Sequence, residues 1–392
     1  MSRFSKAQLL FRLLTAVILS TPLAPKPADA GLVFDFTEGA GLTSLSTINP
    51  TLYAQVINGF HNAAGVWQSV LHDNVTLKFE IDYAPLGVGI IGSTTSATYV
   101  GSYEEIRDAL RADAQQTVDQ NATNALPNTP SLVLRTNDRS GAPILDNDVD
   151  NPLDPLDDAF VNNSYIVITG ANVRALGIMP DAFKDNTDAS ITFSSNFSFD
   201  FDRSDGIGPG LVDFIGTAAH EIGHALGFLS GIDVVDYYTG SGTGATEDLN
   251  GAAAGIGTLD SSYYFTVLDL FRSSTAVLPG TYDWTTGGNP GLTVDGGNTI
   301  GTPFSTGMQN GDGRQAGHWK DNLGLGIMDP TLAFGELAVV TANDLLAFDV
   351  IGWDLQAVPE PSSLLLCSSA VAGWYVRRRR AAAASVADKA DR

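Results

Sequence analysis

Cysteine is almost missing from this chain. Its 392 residues hold one, Cys367, near the C-terminal end. The body therefore has no disulfide framework and no thiolate to offer a metal. Histidine is scarce as well, with five in all. Positive charge is outnumbered, since 21 Lys and Arg face 44 Asp and Glu, leaving a net charge of −23. So acidic a chain repels phosphate backbones, and nucleic acid is excluded as an expected partner. The acidity suits a soluble exported protein and leaves room for Ca2+ sites. Internal repeats are also lacking. The length allows one large domain or two subdomains with a real core.

The two ends differ in composition from the rest. Arg3, Lys6 and Arg12 make a basic start, Leu13 to Leu19 is apolar, and Ala28-Asp29-Ala30 gives small-x-small before Gly31. Residues 1–30 thus read as a secretory signal, with signal peptidase as the expected partner. Export overrides the cytosolic hint that missing disulfides would otherwise give. At the far end Val358-Pro359-Glu360-Pro361-Ser362 leads into an apolar run, Ser363 to Val376, and then Arg377 to Arg380. The run is shorter than the roughly 20 residues of a bare membrane span. Arginines after it place that end on the cytoplasmic side. The set over 358–380 resembles the PEP-CTERM sorting signals of Gram-negative bacteria, with 381–392 as a tail. The resemblance implies an exosortase-type enzyme as partner, transient anchoring at the inner membrane, and delivery to the cell surface or beyond.

Between the ends, pattern predicts elements. Leu52 to Leu71 has helical spacing, Val75 to Tyr83 alternates as a strand, and Tyr103 to Gln120 reads as one helix opened by Glu104 and Glu105. Strands are expected at Ser164–Thr169 and Ala189–Ser194, and short or capped helices at Asn172–Leu176 and Thr341–Trp353. The closing helix is assigned a packing role. Two acidic stretches have oxygen-ligand spacing. Asp146, Asp148 and Asp150 resemble the start of a Ca2+ loop, but Asn151 stands where the turn glycine belongs; a solvated acidic loop is the rival reading. Asp200, Asp202 and Asp205 suit either a Ca2+ loop or a set of turn residues. Ser230 to about Thr302 is rich in Gly, Ser and Thr and reads as an insertion.

The most specific stretch is His220-Glu221-Ile222-Gly223-His224-Ala225-Leu226-Gly227-Phe228. Asp213 to Leu226 carries no proline, and helical spacing puts His220 and His224 on one face, one turn apart. Two imidazoles so placed reach one Zn2+, and Glu221 reaches a water beside it as general base. Asp213 and Thr217 share that face and are candidates to orient the histidines. His61 and His72 read as surface or packing residues.

A catalytic zinc usually takes three protein ligands. The position three residues past Gly227, where a third histidine often stands, is Ser230. His318, Asp233 and Glu336 remain as candidates. His318-Trp319 is followed by Met328-Asp329-Pro330. In this order the motifs resemble those of metzincin metalloproteases, and among them the leishmanolysin-like ones. The resemblance implies His318 as third ligand, Met328 as the methionine beneath the metal, and Glu221 as the catalytic residue. It implies an exported zinc endopeptidase acting on protein or peptide. It also implies an α+β zincin fold: an N-terminal subdomain (31–229) with a mixed sheet and the site helix, an insertion (230–302), and a smaller C-terminal subdomain (303–357). A catalytically silent surface or matrix binding protein is the competing expectation.

Overall fold

The computed structural model describes residues 31–137, 142–146, 162–238 and 265–355. The compact unit that carries all of them ends at Leu355. The signal segment, the sorting segment, Asp148 and Asp150 lie outside the described residues.

In chain order, the first half contributes β1 (Val33–Glu38), α1 (Ala40–Ile48), α2 (Pro50–Gln68), β2 (Thr76–Ala84), β3 (Gly92–Ser96), β4 (Thr98–Ser102), α3 (Tyr103–Asp113) and α4 (Thr117–Asn124). Next come β5 (Leu134–Asn137), β6 (Pro143–Asp146), β7 (Tyr165–Thr169), α5 (Gly170–Ala175) and β8 (Ala189–Ser194). The last major helices are α6 (Phe214–Ala225), α7 (Ile232–Tyr238) and α8 (Ala342–Val350). The fold is mixed α+β.

The principal sheet has the order β1-β2-β8-β3. Its first three strands run parallel, and β3 runs antiparallel to β8 at the sheet's end. Parallel neighbours need long crossovers, and α1 with α2 supplies the one between β1 and β2. Asn49 caps α2 by accepting from Leu52 N at 3.1 Å, and Pro50 occupies the first turn, where no N–H is needed. The alternation in β2 buries Leu77, Phe79 and Ile81 on one face. Between sheet and site helix lies an aromatic layer. Phe60 of α2 meets Phe193 of β8 edge-on at 5.3 Å and Phe214 of α6 at 5.5 Å. Each such ring contributes about 1.5–3 kcal/mol by burial.

The expected single helix over 103–120 is two. Ala114 leaves the helical region, with φ −54° and ψ 118°, and the Asp119 carboxylate accepts from the Gln115 and Gln120 amides at 2.8 and 2.6 Å. A side chain that binds nearby backbone competes with the helical ladder. The described parts of the expected insertion are not featureless. They contain α7 and short strand pairs, among them Arg272–Ser273 with Gly291–Leu292.

Candidate metal centre

Helix α6 is held at three points. At its start Asp213 is the N-cap and accepts from Gly216 N at 2.9 Å. The same carboxylate accepts from Ala338 N at 3.1 Å and pairs with Arg203 at 3.0 Å. In its middle the Trp67 indole donates to Ala219 O, and at its end the Trp353 indole donates to Leu226 O, both at 2.8 Å. Asp213 and Thr217, expected to orient the histidines, instead serve the helix start. The Thr217 hydroxyl donates to Asp213 O at 2.8 Å.

The helix presents His220 and His224 to His318, which arrives from a distant loop. His224 Nε2 lies 3.1 Å from His220 Nε2 and 3.1 Å from His318 Nε2. The far nitrogen of each ring faces a carbonyl. His220 Nδ1 is 2.7 Å from Ile327 O, His224 Nδ1 is 2.7 Å from Phe228 O, and His318 Nδ1 is 3.3 Å from Gln315 O. A carbonyl only accepts, so each Nδ1 carries the ring proton and donates. Each Nε2 is then a bare lone pair. None can donate to another, and three lone pairs aimed at one space repel unless a cation fills it. Nitrogens about 2.0–2.1 Å from a tetrahedral metal stand about 3.3–3.4 Å apart, close to the spacing found. These three histidines can hold a metal ion; among the described residues they are the one group of at least three His, Cys, Asp or Glu so placed. Imidazole donors suit zinc and several other transition metals.

Electrostatics keeps His224 and His318 neutral, as ligands must be. Desolvation, then the neighbouring His220, pushes His224 down to about 3 against a weaker opposing bond to Phe228 O. Burial, then His224 and His220, holds His318 well below the usual imidazole range.

Glu221 is 7% exposed and turns toward β3. The Thr94 hydroxyl approaches its carboxylate Oε2 at 2.6 Å and its carbonyl at 2.9 Å. Burial raises the Glu221 carboxyl, against the charge of His220 and the Thr94 bond. Gly92 permits this approach, because a Cβ there would stand 2.7 Å from Glu221 Oε1. Met328 is fully buried behind the helix. It packs against the bare backbone of Gly223, where a Cβ would meet Met328 Sδ at 2.5 Å.

The rival third ligands are occupied elsewhere. Asp233 accepts from Ala316 N at 2.6 Å and Gly317 N at 3.3 Å. Glu336 accepts from Ala333 N at 2.8 Å, and the Ser230 hydroxyl donates to Asp269 at 2.7 Å. Asp200, Asp202 and Asp205 do not gather into a metal-holding group among the described residues. Asp200 accepts from Asp202 N and Gly208 N, and Asp202 from Ser204 N, at 2.8–3.0 Å. They close turns ahead of α6, and Asp205 lies in the same turn region; Asp146 ends β6.

Two residues that matter here were not singled out by sequence. Thr94 sits in a polar strand, Gly92 to Ser96, with no signal of contact to a helix far along the chain. Asp344 of α8 looks like a capping-box residue, and it is one, with Thr341. It also accepts from Trp319 Nε1 at 2.8 Å, Ile327 N at 2.9 Å and Met328 N at 3.2 Å. One carboxylate so binds both the His318-Trp319 segment and the Met328 turn.

Comparison with known families gives a match to the PEP-CTERM protein-sorting motif over residues 357–380. The motif begins one residue before the segment read from sequence. It marks export in Gram-negative-type bacteria, with recognition by an exosortase-type sorting enzyme. No curated protein and no solved structure matches the chain. Among the described residues no helix is long and apolar enough to cross a membrane.

Proposed function

We propose that this exported protein is a zinc-dependent endopeptidase of the metzincin kind. The observation that carries the reading is the convergence of three Nε2 lone pairs, that of His224 lying 3.1 Å from each of the other two, with Glu221 on the helix that bears His220 and His224. His220, His224 and His318 would hold the ion as neutral imidazoles. Zn2+, when bound, supplies Lewis acidity that polarises the scissile carbonyl and acidifies water. Glu221 takes a proton from the attacking water at its carboxylate and hands it to the leaving amine. Thr94 fixes one oxygen of that carboxylate, and the other lies beside Gly92. Strand β3 ends the sheet beside Glu221 and offers an outer edge along which an extended peptide can lie. Met328 packs behind α6 and keeps the histidine-bearing helix in register.

The test is cleavage of an unfolded casein by the zinc-loaded chain and by Glu221→Ala. Loss of a positioned general base costs about 10²–10⁴ in rate. Cleavage that disappears in Glu221→Ala while one zinc per chain is retained supports the peptidase. A wild-type chain that holds one zinc and cleaves nothing overturns it and leaves a metal-binding surface protein.

A further inference from the structure

Asp233 was a rival for the third ligand by sequence, and its actual position gives it a different task. It stands on α7, within the expected insertion. Its Oδ1 accepts from Ala316 N at 2.6 Å. The carbonyl of the same peptide group, Gln315 O, faces His318 Nδ1 at 3.3 Å. No described peptide bond is cis, so the N–H and C=O of this group point to opposite sides. The result is a relay: carboxylate, peptide group, imidazole, with His318 Nε2 directed into the three-histidine space. Burial pushes the Asp233 carboxyl up to about 7; in its ionised form this acceptor on the N–H side draws the peptide's electrons toward its oxygen and makes that oxygen a stronger acceptor. A stronger acceptor at Nδ1 fixes the ring's orientation and makes Nε2 a better donor to a metal, as a directly bonded carboxylate does.

We propose that Asp233 is a positioning residue for the metal site, acting on His318 through the Gln315–Ala316 peptide. The proposal rests on the three histidines binding a metal and does not depend on peptide hydrolysis. Helix α7 contains its own control. Asp236, one turn further on, is 2% exposed and accepts from Gln309 N and Asn310 N, both at 2.7 Å. It holds the same loop at amides whose carbonyl partners do not face a histidine ring nitrogen. A purely structural role for this helix would make the two aspartates equivalent.

The experiment measures the Kd for Zn2+ of the full chain by competition with a chelator, at pH 8, for wild type, Asp233→Asn, Asp233→Ala and Asp236→Asn. Far-UV circular dichroism and metal-free Tm check folding in each. Asn keeps the volume and one acceptor oxygen, so Asp233→Asn removes the charge and the longer bond from Gly317 N, as Asp236→Asn removes the charge and one amide bond, and it remains informative where Asp233→Ala fails to fold. Zinc affinity is expected to fall about tenfold in Asp233→Asn and further in Asp233→Ala, within the range for residues that orient ligands. Asp236→Asn is expected to lower Tm with zinc affinity unchanged. Wild-type affinity in Asp233→Asn overturns the relay, as does an equal loss in Asp236→Asn. A wild-type chain that takes up no Zn2+ overturns the metal reading itself, which separates the two failures.

Discussion

His220 and Asp344 are joined through a single peptide group. His220 Nδ1 donates to Ile327 O at 2.7 Å, and the N–H of that peptide, on Met328, donates to Asp344 Oδ1 at 3.2 Å. The other carboxylate oxygen accepts from Ile327 N at 2.9 Å and Thr341 N at 2.7 Å. The closing helix therefore reaches a histidine of the site helix without adjoining it in sequence.

Removing that carboxylate strands several buried donors. Asp344→Ala is expected to lower stability by about 3–4 kcal/mol in urea denaturation, since unsatisfied buried N–H groups cost more than a lost contact. Zinc affinity should fall with it. Asp344→Asn, which keeps the volume and an acceptor oxygen, should show a smaller loss of both. Wild-type stability in Asp344→Ala would contradict the role given to this residue.

Thr94 and Gly92 set the position of Glu221. Thr94→Val is expected to reduce kcat about tenfold with KM little changed, and Thr94→Ser to restore most of it. Gly92→Ala adds a methyl against the Glu221 carboxylate and should depress kcat further. Steady-state kinetics on a fluorogenic peptide measures both, with zinc content checked in parallel. A rise in KM alone would assign β3 to substrate binding only.

Metal and fold are expected to be linked, because three converged lone pairs need a cation. Saturating Zn2+ at a hundredfold over Kd adds about 2.7 kcal/mol of stability by mass action. A chelator should lower Tm, and added Zn2+ should restore it. His318→Ala should abolish the difference between the two Tm values. Equal Tm values with and without chelator, in a chain shown to release its zinc, would refute the linkage.

Asp349 gives the chain a pH dependence of its own. It is 5% exposed on α8, and burial, then Asp119 and Asp354, pushes its carboxyl up to about 7. The unfolded carboxyl titrates near 3.9. Between those values the folded state binds the proton more strongly, so stability is present below the unfolded value and is lost as pH rises toward 7. Asp349→Asn should raise Tm by about a few degrees at pH 8 and change little at pH 4. Differential scanning calorimetry at the two pH values reads this. An equal gain at both would point to packing instead of charge.

The local elements were legible where the pattern was strong. Phe214–Ala225, Thr76–Ala84, Tyr165–Thr169 and Ala189–Ser194 follow from spacing and alternation, to within a residue or two at each end. The break at Ala114 was not legible, because it depends on where the Asp119 carboxylate turns. Nor was the open end of the sheet. Strand β3 carries only Gly, Ser and Thr, and its pairing with β8 is a long-range choice made by its neighbours. The turn reading of Asp200 and Asp202 was available from sequence only as one of two, since a carboxylate that closes a turn and one that binds Ca2+ share the same spacing.

The sequence alone determined the helix bearing His220, Glu221 and His224, because two histidines four apart must share one face of a helix. It also determined the sorting segment, whose composition is its signal. Tertiary structure decided the rest of the site. Between His318 and Asp233 spacing offers no choice, since both carry a metal-binding atom and neither stands three residues past Gly227. The fold separates them. Asp233's carboxylate is taken up by backbone amides, and His318's Nε2 is left bare beside two others. A side chain becomes a ligand or a support according to which of its atoms the fold has already satisfied, and that is a property of contacts between segments far apart in the chain.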